Sequence, residues 1–199
     1  MKKAIMLLAI FCIAACMQQK GILIGPESGP FVLTDPRDGK TYKAVRIGSQ
    51  VWMAENLNYA TKGSRCYNDS AFYCDKYGRL YSWKGAMKAC PRGWHLPKDE
   101  EWHKLAYFEE TMFVAGKKLK ARSGWVENGN GTDEYGFAAL PSGQCFSGNC
   151  YDADSLGCWW TATQFANDAI MRSISYENES AFYLDGTKAE FFSVRCIQN

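Results

Sequence analysis

The stretch Cys90-Pro-Arg-Gly-Trp-His-Leu-Pro-Lys-Asp-Glu-Glu-Trp102 constrains this chain more than any other. It opens on a cysteine that ends an apolar segment. Its Leu96-Pro97 pair then leads into an acidic helix start. Far along, the chain closes on Phe192-Ser-Val-Arg-Cys196, a strand-like end that carries a second cysteine. A chain able to meet itself in this way argues a small closed fold pinned near its C-terminus. The stretch speaks to fold far more than to ligand or reaction.

The first residues read as a targeting segment. Met1-Lys-Lys is a basic start, and residues 4–15 are apolar but too short to span a bilayer comfortably. They end on Ile13-Ala-Ala-Cys16, the pattern of a bacterial lipobox, in which small residues admit the peptidase and the thiol takes a diacylglycerol. On this reading residues 1–15 are a lipoprotein signal peptide and Cys16 is the lipidated first residue of the mature chain. The alternative is an ordinary secretory signal cut at Ala15. Met17 rather than Asp after the cysteine favours sorting to the outer membrane. Residues 16–30, rich in Gly, Pro, Ser and Gln, read as a flexible tether, with the folded domain over 31–199.

That domain has the composition of a globular protein, with 47% hydrophobic and 15% aromatic residues in the whole chain. The formal charge is only +2, and Lys2 and Lys3 account for it. A neutral mature protein has no long-range field to hold nucleic acid, so that class of partner is set aside.

Export also sets the redox context. Of nine cysteines, Cys12 lies in the signal and Cys16 carries lipid. Seven remain, an odd number, and an oxidising compartment makes disulfides the default. Cys66 and Cys74 flank a polar stretch that reads as a turn; closing it contributes roughly 2–3 kcal/mol in the chain-entropy model. Cys145 and Cys150 flank Phe-Ser-Gly-Asn, a hairpin-tip composition. Cys90 and Cys196 are left to form the long link, on the order of 4–5 kcal/mol in the same model. Cys158, beside Trp159 and Trp160, is then a buried free thiol. A rival scheme joins Cys158 to Cys145 or Cys150.

Hydropathy patterning supplies the elements. Residues 42–47 alternate and residues 50–53 follow a Gly48-Ser49 turn, which predicts a hairpin. Residues 55–59 read as irregular. Leu80 to Ala89 has helical spacing and runs into Cys90. A second helix starts after Pro97, with acidic residues in its first turn and Trp102, Leu105 and Ala106 as its buried stripe. Residues 115–119 continue as helix, and 123–135 as loop. Residues 137–140, 159–163, 169–176, 180–184 and 191–197 read as short strands. The class is α+β.

Seven blocks in order resemble one family. They are Asp35-Pro-Arg-Asp-Gly-Lys-Thr-Tyr42, Ile47-Gly-Ser-Gln-Val-Trp-Met-Ala-Glu-Asn-Leu-Asn58, Tyr77-Gly-Arg-Leu-Tyr-Ser-Trp83, Cys90 to Trp102, Tyr135-Gly-Phe-Ala-Ala-Leu-Pro141, Trp159-Trp-Thr-Ala-Thr163 and Phe192-Ser-Val-Arg-Cys196. Together they resemble the Fibrobacter succinogenes major paralogous domain. The resemblance implies a C-type lectin-like fold, with two helices, a small curled antiparallel sheet and long loops. It also implies a bridge from a cysteine near the first helix to one on the last strand, the places of Cys90 and Cys196. Members are exported or surface-anchored, and no general reaction attaches to them.

Candidate sites are few. Lectin-like domains that bind sugar through calcium use Glu-Pro-Asn or Gln-Pro-Asp triplets, and calcium needs about six to eight converging oxygens. This chain has neither triplet, and Asp152, Asp154, Asn167 and Asp168 sit in no recognisable frame. His95 and His103 lack a standard ligand spacing. No metal or cofactor is therefore expected. Trp125 and Tyr135, with Asn128 and Asn130 nearby, form the candidate ligand loop, because aromatic rings and amides suit neutral glycans. Trp159 and Trp160 must face opposite sides of a strand, so one is core and the other could stack or cover the second face. The Cys145–Cys150 spacing resembles that of formylglycine-generating enzymes, which makes a cysteine-dependent oxidase the alternative function; the arginine- and glycine-rich frame of those enzymes is missing.

These readings add up to a monomeric, lipid-anchored envelope protein. Its non-catalytic lectin-like domain is expected to bind or display, toward a polysaccharide or another envelope protein. A purely structural surface module is the third possibility.

Overall fold

A computed structural model describes residues 31–106 and 112–199. The signal segment, the tether and Cys16 lie outside the described residues. The chain opens as a three-stranded meander, β1 (Phe31–Thr34), β2 (Thr41–Ile47) and β3 (Gln50–Met53). β2 departs from the expected alternation: Tyr42 and Ala44 are buried on one face, Val45 and Ile47 pack into a second cluster on the other, and Thr41, Lys43 and Arg46 are exposed. The next elements are β4 (Ser64–Arg65), a 3-10 turn at Tyr67–Asp69, α1 (Ala71–Tyr77), β5 (Leu80–Ser82), α2 (Trp83–Ala86) and β6 (Trp94–His95). Two helices follow, α3 (Asp99–Ala106) and α4 (Met112–Leu119). The rest is strand: β7 (Ser142–Phe146), β8 (Asn149–Ala153), β9 (Leu156–Phe165), β10 (Asp168–Ser175), β11 (Ala181–Gly186), β12 (Phe191–Ser193) and β13 (Ile197–Gln198).

The strands form two sheets. One has the order β1-β2-β3-β13-β6, the other β11-β10-β9-β7-β12-β5-β4, with β8 attached to β7 alone. Most pairings are antiparallel; β7–β9 and β12–β9 run parallel. The C-terminal residues close the first sheet. β13 inserts between β3 and β6, Met53 N donates to the Cys196 carbonyl at 3.0 Å, and Leu57 N donates to Val194 at 2.8 Å. Cys90–Cys196 ties this closure across 106 residues. Cys66–Cys74 and Cys145–Cys150 are also bonded, and Cys158 is a buried free thiol. The rival pairing of Cys158 is thereby ruled out. The architecture is α+β with few helices and a curled sheet, held by three disulfides.

Trp159 and Trp160 point to opposite faces of β9, and both are wholly buried. Trp159 joins Trp52, Trp102 and Phe137 in one cluster. Trp160 joins Tyr81, Met171 and Phe192 in the other. The second sheet thus has core on both sides. This explains the main departure from the expected elements. Leu80 and Tyr81 are strand, not helix, because a strand between β12 and β4 buries both neighbours at once, one per face. The helix shrinks to Trp83–Ala86, where the Ser82 hydroxyl accepts from Gly85 N.

Three further expectations change. Residues 137–140 are not a strand: Ala138 sits at φ 52, which breaks the extended run, and only Ala139 bridges, to Lys120. The polar stretch between Cys66 and Cys74 folds as a 3-10 turn and α1 rather than a plain turn. Residues 191–197 split into β12 and β13 in different sheets, with Val194 and Arg195 crossing between them fully buried. α3 is as expected, including the buried Trp102, Leu105 and Ala106. The Glu101 carboxylate reaches back to accept from Lys98 N at 2.7 Å.

Candidate functional site

The loop expected to offer a stacking surface is packed down instead. Trp125 is 5% exposed, and its indole N–H donates to the Ala139 carbonyl at 3.0 Å. Its backbone N–H donates to the Asn130 side-chain oxygen, also at 3.0 Å. Lys120, itself buried, donates to the Ser175 and Asn178 carbonyls and holds its ammonium 5.4 Å over the Trp125 ring. Burial pushes that ammonium below the ordinary lysine range. Tyr135 is half-buried against the same cluster. Asn128 is exposed. Trp125, Asn128, Asn130 and Tyr135 therefore do not assemble into a binding face. The reason is backbone contact: a Cβ on Gly129 would lie 2.6 Å from that of Tyr176, and one on Gly131 would strike the Lys117 and Lys120 carbonyls. Only glycines let the loop lie this close, and lying close buries the tryptophan.

A cleft of about 420 Å³ opens elsewhere, lined by Lys40, Glu55, Asn56, Asp75, Lys76 and Tyr77 among others. Most of its polar groups are already engaged. Lys40 Nζ donates to the Asn58 carbonyl at 2.6 Å, and Glu55 accepts from Lys43 N at 2.6 Å. Asp154 accepts from Lys76 Nζ at 2.9 Å and from the Tyr77 hydroxyl. Burial, together with that hydrogen bond to Asp154, pushes Tyr77 up to about 12. Burial opposes ionisation of Asp154, yet the bonds from Tyr77 and Lys76 hold its carboxyl below the usual range.

The cleft floor is a buried polar hub. Asn56 Oδ1 accepts from Arg195 Nη2 at 2.9 Å and from the Trp159 indole at 2.8 Å. Its amide nitrogen donates to the Tyr77 carbonyl at 2.9 Å. Arg195 is wholly buried; it also donates to the Phe137 and Ala138 carbonyls and lies 4.3 Å over the Phe137 ring. Burial drives its guanidinium down to about 9. Every oxygen it meets in these bonds is a neutral carbonyl or amide, so the hub joins β12–β13 to the loop after α4 and serves the fold.

The hairpin β7–β8 has the opposite character. Cross-strand pairs put Cys145 with Cys150, Gln144 with Tyr151 and Phe146 with Asn149. Alternation then sends the disulfide to one face and those four side chains to the other. Cys145 is wholly buried beside Tyr67 and Leu80. On the opposite face Phe146 and Tyr151 stack, with ring centroids 4.6 Å apart and planes 24° from parallel. They remain 37% and 40% exposed. Gln144 Nε2 donates to the Asp152 carboxylate at 2.8 Å. The tip residues Ser147 and Gly148 both have positive φ, the signature of a tight type I′ turn. None of Gln144, Phe146, Asn149 or Tyr151 was singled out from sequence. The signal was present: cysteines paired inward across a hairpin put their neighbours outward.

The oxidase alternative gains no support from this geometry. One sulfur of the Cys145–Cys150 bridge is sealed in core, and the pair does not line the cleft. His95 is taken up by Glu101 and Asn199, at 3.0 and 2.7 Å. The free thiol of Cys158 is wholly enclosed, and burial raises it far above the reactive range. Among the described residues no three His, Cys, Asp or Glu side chains gather as metal ligands would.

Neither the curated proteins nor the solved structures contain a match to this chain. A family model does match, beginning after the first of the seven blocks. The model of the Fibrobacter succinogenes major domain covers residues 45–198, and the chain belongs to that family.

Proposed function

We propose that the chain is an exported, lipid-anchored envelope protein whose C-type lectin-like domain binds or displays and catalyses no reaction. The carrying observation is the β7–β8 hairpin, which holds a part-exposed aromatic pair across two strands braced by a disulfide. Recognition surfaces need such preorganisation, since ordering a loose loop on binding costs affinity. The lectin-like reading draws support from the Cys90–Cys196 closure between the segment ahead of α3 and the last strand. The anchor reading rests on Ile13-Ala-Ala-Cys16, with Met17 favouring the outer membrane. No helix among the described residues is long and apolar enough to cross a membrane, so membrane attachment on this reading falls to lipid at Cys16. The partner is a polysaccharide or another envelope protein, met by a monomer.

Two measurements test this. The Cys16→Ser protein should leave the membrane fraction for the soluble one; retention there would overturn the lipobox. The purified full chain in mild detergent should give signal on a glycan array or retain an envelope protein. Silence in both assays would leave a structural module as the answer.

A further inference from the structure

The outward face of the β7–β8 hairpin has a composition that packing alone does not require. On the disulfide face of the hairpin, Cys145 and Cys150 pack with Tyr67 and Leu80. β8 has no neighbour beyond β7, so nothing in the sheet covers its outer edge. Yet the free face carries two aromatic rings flanked by two amides. Apolar surface kept in water across a braced pair of strands is open to a partner.

The chemistry of that face selects the partner. Each ring spends one side on the other ring and keeps part of its remaining surface in water, with Phe146 37% and Tyr151 40% exposed. A pyranose presents a strip of C–H groups on one side and hydroxyls around its rim. The amides of Gln144 and Asn149 both donate and accept, as hydroxyls require. The four side chains carry no formal charge, and Asp152, bonded to Gln144, adds a carboxylate. An acidic polymer would meet repulsion from that carboxylate. A neutral chain meets no such penalty.

The ring pair is also held in place. The disulfide closes the strands directly behind it, and the two-residue tip leaves no slack. The backbone N–H of Asn68 donates to Cys150 Sγ at 3.3 Å, which seats the 3-10 turn against the same strand. The rings can therefore accept a sugar with little loss of freedom.

We propose that Gln144, Phe146, Asn149 and Tyr151 form a saccharide subsite for neutral pyranose polymers, an inference that rests on the binding reading above. The test is affinity electrophoresis of the full chain in mild detergent through gels containing soluble glucan, xylan, mannan or polygalacturonate. At least one neutral polymer should retard the protein, and polygalacturonate should not. Phe146→Leu and Tyr151→Leu keep apolar cover but remove the ring, and should weaken retardation on the order of tenfold at an unchanged unfolding midpoint. Because both rings also brace the hairpin, Asn149→Asp supplies an independent reading from a residue outside the stack. It should weaken retardation too. Undiminished retardation of Asn149→Asp and the leucine variants overturns the subsite while leaving the binding reading intact. Wild-type protein retarded by no neutral polymer overturns the subsite, and a positive envelope-protein capture would then keep the broader reading alive.

Discussion

Two neighbouring regions of this protein reverse the roles their compositions suggest. The loop of residues 123–135, rich in Gly and Asn, has the look of an open ligand loop, yet it lies flat and buries Trp125. The hairpin of residues 142–153 carries a disulfide and reads as a structural staple, yet it keeps two rings in water. They are linked where Val126 N donates to the carbonyl of Asp154, the residue just past the hairpin, at 3.0 Å. The difference teaches that glycine favours close backbone contact as readily as mobility. It also shows that a cysteine pair decides where its neighbours point as well as what it joins.

The comparison can be broken in four ways. The largest effect belongs to Trp125→Ala, which should cost about 3–5 kcal/mol through a lost buried ring and the lost indole hydrogen bond to the Ala139 carbonyl. Urea unfolding measures it; a change below about 1 kcal/mol would mean the ring is not the loop's anchor. Next comes the backbone contact itself. Gly131→Ala forces a methyl onto the Lys117 and Lys120 carbonyls and should cost on the order of 2 kcal/mol, where an open loop would accept alanine freely. A comparable loss, about 2 kcal/mol, is expected on replacing Cys145 and Cys150 together with serine, since their five-residue separation closes only a short loop. That variant should also blunt glycan retardation by loosening the ring pair. The smallest effect is on the exposed rings: Phe146→Ala or Tyr151→Ala should cost less than about 1 kcal/mol of stability, the range of a cross-strand pair. A loss as large as that of Trp125 would erase the distinction between the two regions.

The junction between them can be sharpened by pH. The Tyr77 hydroxyl bonds Asp154 and titrates near 12 in the fold, against an ordinary 10. The unfolded chain therefore loses this proton first. The stability from Tyr77 is complete below pH 10 and is lost as pH rises through 12. Tyr42, likewise raised to about 12 by burial, acts in the same direction. Unfolding midpoints should fall across that window, and the fall should be shallower in Tyr77→Phe. An equal slope in the variant would remove Tyr77 as a cause.

Much of the frame could be read from residue order. The β2–β3 hairpin followed from the strand-like run of residues 42–47 and the Gly48-Ser49 turn, and α3 from Pro97 and its acidic first turn. Each depends on contacts only a few residues apart. Leu80-Tyr81 failed because its apolar spacing suits a helix, while a sheet with core on both faces accepts it as a strand. Residues 137–140 failed through one positive φ at Ala138, held where Arg195 binds the flanking carbonyl of Phe137. That constraint comes from 58 residues away and leaves no trace in the local pattern.

What the sequence determined by itself was the class and the family, because composition and block order are properties of the chain. The tertiary structure alone decided which aromatics face water. Trp125 and Tyr151 have similar neighbours in sequence, with glycine, asparagine and acid close by. One is buried because glycines let its loop settle onto Lys117, Lys120 and Tyr176, and the other is exposed because its cysteine neighbour points into the core. Exposure is a property of the surface opposite each ring, and that surface is assembled only when distant segments meet.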